Sequence, residues 1–278
     1  MHITLNGQTL DVATGASALD VLSKYNLQAT SLHLLNGFSF QDNPILQDGD
    51  TLIARSVTEA PDEAAYDAIW EARYGQRIYQ ILKHSRVAIC GAGGLGSHIA
   101  MSLTRLGIGE LTIIDKDIVD ITNLGRQAYE LSDLGKPKVM ALKALLHRIN
   151  PFVKVTAIHD TIDAHNYDDY LIGVPYILEA FDAPENKAAL TEYVITHYPN
   201  TTLIGASGVS GYDEPNTVKT KQILPQYYQT GDGHSESSLG LLAPRVMLCA
   251  AHQATMFLHL LLTKEMSHDN NCTSKSNR

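Results

Sequence analysis

The sequence predicts an α/β protein, a doubly wound and mostly parallel sheet preceded by a small α+β unit. Short apolar runs alternate with helix-like stretches between residues 86 and 206, and one of those runs leads straight into a glycine-rich turn. The first 56 residues read as strand, strand, helix, strand, strand. A chain of 278 residues with 44% hydrophobic content has room for one large domain and one small one.

The small unit comes first. Residues 3–5 and 10–12 flank Asn6-Gly7, a strong hairpin signal because both central positions of a type I′ turn need positive φ. Ser17, with Asp20 three residues on, caps a helix carrying Ala18, Leu19, Val21 and Leu22. Residues 32–35 run into a second Asn-Gly pair, and the turn Gln47-Asp48-Gly49-Asp50 feeds a last strand at 51–54. That order suits a β-grasp fold over residues 1–56. Residues 57–63, with Pro61 and three acidic side chains, read as a linker. A domain over 64–263 then opens with Tyr66, Ile69, Trp70, Tyr74, Ile78, Ile81 and Leu82 at helical spacing. Strands are expected at 86–90, 111–115, 153–158, 176–179 and 203–206, with helices at 99–106, 139–149 and 185–197 among them. Pro244 precedes a final helix at 246–262, and the polar residues 264–278 are expected to be disordered.

Composition narrows the partners. A net charge of −9, a pI near 5.7 and the lack of a Lys/Arg run argue against a nucleic-acid partner. The start MHITLNGQTLD has neither a basic nor an apolar leader segment, and no apolar run reads as long enough to cross a bilayer. No membrane partner and a cytoplasmic location are therefore expected. Cys90, Cys249 and Cys272 lack CxxC spacing, so reduced thiols are expected rather than a disulfide framework or a zinc site.

The strand at 86–90 passes directly into Gly91-Ala-Gly93-Gly94-Leu-Gly96 and then an amphipathic helix, the context that gives a GxGxxG match meaning. Glycines let the backbone approach phosphate oxygens, and the helix N-terminus offers unpaired N–H groups. Asp115 closes the next strand, where Rossmann-like folds place a carboxylate on ribose hydroxyls. The stretch after it departs from a dinucleotide-binding dehydrogenase: Asp117, Asp120, Asn123, Arg126 and Gln127, then Gly135-Lys-Pro-Lys138 opening a helix. Arg126 and Lys138 can neutralise a triphosphate and brace the charge that develops when a carboxylate oxygen attacks the α-phosphorus. Asp182, just past the strand at 176–179, can hold Mg²⁺ against the phosphates.

A resemblance joins these pieces. On RYGQR (73–77), GAGGLGS (91–97), Asp115 and Asp117, NLGRQ (123–127), GKPK (135–138), RINP (148–151), EAFDAPENK (179–187) and APR (243–245), the chain resembles the ThiF/MoeB group of ubiquitin-activating-enzyme-like adenylyltransferases. It is most similar to a short ThiF type of thiamine biosynthesis, over residues 66–262. The resemblance implies ATP contacts at Gly94, Asp115, Asn123, Arg126, Gln127 and Lys138, and a catalytic acidic residue at the magnesium in Asp182. It also implies a homodimer in which Arg73 or Arg77 reaches the partner's phosphates. The first unit resembles ThiS, the β-grasp sulfur carrier, yet runs into the linker without a free Gly-Gly end. It is then a docking or regulatory module, or a stabilising appendage.

The larger family members carry zinc-binding CxxC pairs and a sulfur-transfer cysteine, whereas residues 205–240 contain no cysteine, so neither zinc nor a persulfide step is expected. Cys249 and Cys90 read as core residues, and His234 as a solvated loop residue, because an ionised carboxylate needs no general base. The glycines at 205, 208 and 211 offer room for an acceptor tail. The implied function is adenylation of the C-terminal carboxylate of a separate ThiS-type sulfur carrier in thiazole synthesis. The alternatives are another carboxylate (a molybdopterin-type carrier, a peptide or a modified tRNA) and a non-catalytic docking module.

Overall fold

The computed structural model describes residues 1–273, which divide into two compact units at Ile81/Leu82. In the first, β1 (His2–Leu5) and β2 (Gln8–Asp11) form a hairpin about Asn6 and Gly7, at φ +48° and +85°. Helix α1 (Ala18–Lys24) starts at the expected capping box of Ser17 and Asp20. β3 (Leu32–Leu35) and β4 (Phe38–Ser39) turn at Asn36 and Gly37, and β5 (Thr51–Arg55) runs parallel to β1 in the order β2-β1-β5-β3-β4.

Alternation along β5 sends its side chains to two faces. Leu52 and Ala54 pack with Ala18, Val21 and Leu22 of α1, while Ile53 packs with Leu34 and with Ala68 of α2 (Glu63–Tyr74). Because α2 is bound into this second core, the first unit extends to Ile81 instead of ending before the 57–63 linker. The helix expected from Tyr66 to Leu82 is broken at Gly75, with φ +86°, into α2 and α3 (Gln76–Lys83).

The second unit is the expected doubly wound sheet. Its elements are β6 (Arg86–Cys90), α4 (Gly94–Leu106), β7 (Glu110–Ile114), α5 (Lys138–Ile149), β8 (Lys154–Ile158), α6 (Tyr167–Leu171), β9 (Tyr176–Glu179), α7 (Pro184–His197) and β10 (Thr202–Ala206). They are followed by β11 (Lys219–Leu224), β12 (Tyr227–Gly231) and α8 (Ala243–Thr273). The order is β11-β12-β10-β9-β6-β7-β8, parallel throughout except for the edge pair β11/β12. Fully buried residues such as Ile89, Leu111, Ile177 and Ile204 make near-continuous apolar strands, as a sheet covered on both faces requires.

Two expectations are corrected. Helix α8 continues to Thr273, through most of the tail expected to be disordered; residues 274–278 lie outside the described ones, and the 205–240 segment, for which no strand beyond residue 206 was expected, adds a β11/β12 hairpin. By length and composition residues 243–266 could also cross a bilayer, contrary to the expectation from the sequence. Val246, Cys249, Ala250, Gln253, Phe257 and Leu261 of that helix are nevertheless buried, which makes it a core helix of this sheet.

Candidate functional site

The strand order changes direction between β9 and β6, the switch point where open α/β sheets bind ligands. A cavity of about 700 Å³ opens there at the carboxyl ends of the strands. Every nucleotide-contact residue named from the sequence in this unit lines it except Gly96: Gly91, Gly93, Gly94, Asp115, Asp117, Asn123, Arg126, Gln127, Lys138 and Asp182.

The glycine turn divides its labour. Gly91 takes φ +105°, and a Cβ there would stand 2.6 Å from the Ala180 carbonyl oxygen. A Cβ on Gly96 would overlap the Gly91 carbonyl oxygen at 1.8 Å, and one on Gly94 would press on Val246 of α8 at 2.8 Å. These three are glycine because the protein packs against itself. Gly93 is different: a Cβ there meets nothing nearer than Gln127 Nε2 at 3.9 Å, so its backbone is left open toward the cavity.

Asp115, just past β7, is fixed by the N–H groups of Ala92 (2.6 Å) and Asp117 (2.8 Å). Asp117 in turn accepts from the Lys138 ammonium at 2.7 Å and, through its carbonyl, from the Lys138 N–H at 2.9 Å. The Lys138 side chain, at the start of α5, is only 8% exposed, so this pair holds a desolvated cation on the cavity wall. Asn123 is locked to Asp120 by two bonds, Nδ2 donating to Oδ2 at 2.8 Å and the Asp120 N–H donating back at 3.2 Å. The Thr122 hydroxyl, first among several donors, holds the Asp120 carboxyl below its ordinary range. Arg126 donates to the Thr122 carbonyl at 3.1 Å. Gln127 is buried, and its Oε1 has no hydrogen-bond partner among the described residues. A buried acceptor without a partner, on a residue that lines the cavity, fits a ligand that brings a donor. Asp182 is exposed and makes no hydrogen bond or ion pair among the described residues. Free carboxylate oxygens at a cavity edge suit a hard divalent cation.

Arg73 and Arg77 belong to the first unit. Arg73 donates to the Gly37 carbonyl at 2.8 Å and lies over the Phe38 ring, 5.4 Å from its centroid. The glycines at 205, 208 and 211 do not simply provide room. A Cβ on Gly208, which has φ +75°, would lie 2.2 Å from Asp232 Oδ1, and one on Gly205 would lie 3.0 Å from Glu179 Oε2. A bulky residue at Gly208 would therefore disturb the fold before it disturbed any acceptor.

Sequence reasoning assigned no role to two buried ion pairs beside the cavity. Glu179 pairs with Lys187 at 2.8 Å, inside the EAFDAPENK segment. Arg245, the last residue of APR, pairs with Asp232 at 2.6 Å and donates to the carbonyls of Ser210, Asp213 and Glu214. It thereby fastens the loop that carries Ser207, Gly208 and Ser210 along the cavity. Burial acts to raise the Asp232 pKa, but the N–H groups of His234 and Ser235 and the Arg245 guanidinium outweigh it and hold the carboxyl well below the usual range. The family motifs flagged the segments of Glu179, Lys187 and Arg245 but not that of Asp232, because a pairing between distant positions leaves no local pattern. Asp213, Asp232 and His234 bring ligand atoms within 4.8 Å of one another, but the Asp232 carboxylate is already taken by Arg245 and two backbone donors. His234 is an exposed loop residue, as expected. Burial pushes the Cys249 thiol up to about 12 and raises that of Cys90 as well, which fits their reading as core residues.

Residues 66–277 match the model of the ThiF family. Over 154 residues the chain is 33% identical to the tRNA threonylcarbamoyladenosine dehydratase of Escherichia coli K12, covering 54% of this chain and 56% of that one. Over 144 residues it is 36% identical to the protein of the same name from Haemophilus influenzae, covering 51% and 54%. The chain thus spans little more than half the length of these relatives. In fold it is similar to the solved structure of the E. coli enzyme, TcdA, in complex with ATP, with a TM-score of 0.67 at 21% identity, covering 75% of this chain and 99% of that one. These relatives overturn the expectation of a ThiS adenylyltransferase in thiazole synthesis: both are named as dehydratases of threonylcarbamoyladenosine in tRNA.

Proposed function

The chain belongs to the ThiF family, and we propose that it uses ATP to activate a carboxylate, the carboxylate being that of a threonylcarbamoyl-modified tRNA. The observation that carries the reaction class is the convergence of Gly93, Arg126, Lys138, Gln127 and Asp182 on one cavity at the sheet's switch point. The names of the relatives carry the substrate. The two agree chemically. Dehydration at a carboxylic acid needs one carboxylate oxygen turned into a leaving group, and transfer of an adenylyl group to that oxygen does so.

ATP, when bound, supplies the α-phosphorus electrophile and pyrophosphate as leaving group. The open backbone at Gly93 and the start of α4 receive phosphate oxygens, Asp115 the ribose hydroxyls, and Gln127 Oε1 a donor of the nucleoside. Lys138 and Arg126 meet phosphate charge in a site where Lys138 is already desolvated, and so act more strongly than they would in water. Asp182 holds Mg²⁺. No residue need act as a base, since the attacking carboxylate is ionised at neutral pH.

A tRNA substrate replaces the expectation of no nucleic-acid partner. At a net charge of −9 the chain has no general attraction for RNA, so recognition rests on local groups at the cavity mouth. The strand order of the first unit, with β1 and β5 parallel at its centre, supports its reading as a β-grasp module. A homodimer and a cytoplasmic setting belong to the same proposal.

The test is ATP–pyrophosphate exchange with a tRNA carrying threonylcarbamoyladenosine, the same tRNA unmodified, and an Asp182→Ala control. Exchange that requires the modified base and is lost in the control is the expected result. ATP binding without exchange on either tRNA would remove the substrate, and failure to bind ATP would remove the reaction class.

A further inference from the structure

Glu179 ends β9 with a carboxylate that is 2% exposed, in a place where an unpaired charge would be costly. Its Oε1 accepts from the Phe181 N–H at 2.7 Å and from the Lys187 ammonium at 2.8 Å, and its Oε2 accepts from the Ala206 N–H at 3.3 Å. Burial pushes its pKa up, and the Lys187 ammonium and the two N–H groups draw it back. Its three partners sit on three segments that border the cavity. Phe181 directly precedes Asp182, Ala206 leads into Ser207 and Gly208, and Lys187 belongs to α7.

A buried ion pair is weak evidence of a stabilising role, because well-packed apolar residues often do as well. What sets this pair apart is where its cationic end goes. The Lys187 side chain remains 23% exposed and lines both the 700 Å³ cavity and an adjoining open groove of about 600 Å³ between α7 and β12. An ammonium has three N–H donors, and the bond to Glu179 uses one. By strand order, Lys187 stands on the β9–β10 side of the glycine turn, while Lys138 stands on the β7 side.

We propose that Lys187 is a further phosphate-binding residue of this cavity and that Glu179 is its positioning residue. This rests on the cavity being the nucleotide site of the proposed function. The phosphate chain then lies between two held cations, Lys138 on Asp117 and Lys187 on Glu179. In each, a carboxylate fixes the lysine and leaves part of its donor capacity to the ligand.

Calorimetric titration of the full chain with adenosine, AMP and ATP tests both readings. In Lys187→Met, AMP and ATP are expected to bind about tenfold or more weakly with adenosine unchanged, and Lys187→Arg is expected to restore part of the loss. Glu179→Gln keeps the acceptor oxygen but not the charge, and should show a smaller loss of the same kind. Because Glu179 acts through Lys187, the double variant should be no worse than Lys187→Met alone. If Lys187→Met binds all three ligands like the wild type, or loses all three equally, the assignment is wrong. If the wild type binds none of the three, the nucleotide reading fails and the assignment falls with it.

Discussion

At Gln127 the role proposed in nucleotide binding and the demands of the fold pull in opposite directions. Its buried Oε1 has no partner among the described residues, which costs about 1–3 kcal/mol of stability when no ligand is present. Gln127→Leu should therefore raise the melting temperature by roughly 2–4 °C per kcal/mol gained, while weakening nucleotide binding about tenfold. Thermal melts with and without ATP read both effects, and a variant that melted lower would show that the amide is satisfied within the protein. The buried thiols make a second prediction. The folded pKa of Cys249, about 12, lies above its ordinary value of 9.0. The stabilisation from its neutral form is therefore fully present below about pH 9 and is lost as pH rises toward 12. Denaturant melts should show stability declining across that window less steeply in Cys249→Ala than in the wild type, once both are referred to their values at about pH 8. At this scale the sequence was legible where chemistry is local. Asp115, Arg126 and Lys138 were named from local pattern, Asn123 and Gln127 from the family resemblance, and all reach one cavity, whereas Glu179–Lys187 and Arg245–Asp232 join residues whose partners only the fold supplies.

The glycine turn between β6 and α4 separates packing from ligand approach, two demands that look identical in a GxGxxG string. Gly96→Ala would drive a methyl to 1.8 Å from the Gly91 carbonyl oxygen, so it should destabilise by at least the roughly 1–3 kcal/mol typical of overpacking and yield little soluble protein. Gly93→Ala has space for its methyl and should melt like the wild type, yet bind ATP at least about tenfold more weakly because the methyl stands where phosphate approaches. A Gly93→Ala protein with unchanged ATP affinity would relocate the phosphates. The same contrast governs which elements could be read from sequence. The Asn-Gly turns and the Ser17/Asp20 box carry their geometry in the residues themselves and appear where expected. The β11/β12 hairpin does not: most of β11 is exposed at the sheet edge, so it lacks the apolar run that marks the inner strands. Helix α2 was recognised as a helix, but its membership of the first unit depends on Ala68 meeting Ile53 and Leu34, a tertiary fact.

For the molecule as a whole, the doubly wound sheet buries its apolar strands thoroughly, which makes the apolar side chains left outside informative. Ile118, Ile121, Leu131, Leu134 and Met140 are all exposed and fall within one stretch, residues 118–140, whose ends are held together by the Ile118–Pro137 bridge. The same stretch carries Asn123, Arg126 and Lys138 of the cavity. Exposed apolar side chains in one stretch can pack on a second copy, and a surface used by both copies about a twofold axis closes a dimer. A homodimer joined here would cover these side chains and brace the segment that holds Arg126, so assembly and nucleotide binding would be linked through one element. Leu131, 71% exposed, contributes little to the monomer's own core. Leu131→Glu should therefore leave the melting profile of the monomer intact while weakening self-association by about tenfold or more, since each copy would bring a buried charge to the interface. Sedimentation at several protein concentrations measures the association, and ATP titration at the same concentrations shows whether affinity falls with the dimer. A wild type that stayed monomeric would remove the dimer, a variant that associated as the wild type does would place the interface elsewhere, and a monomeric variant with full ATP affinity would show that each copy holds its nucleotide alone.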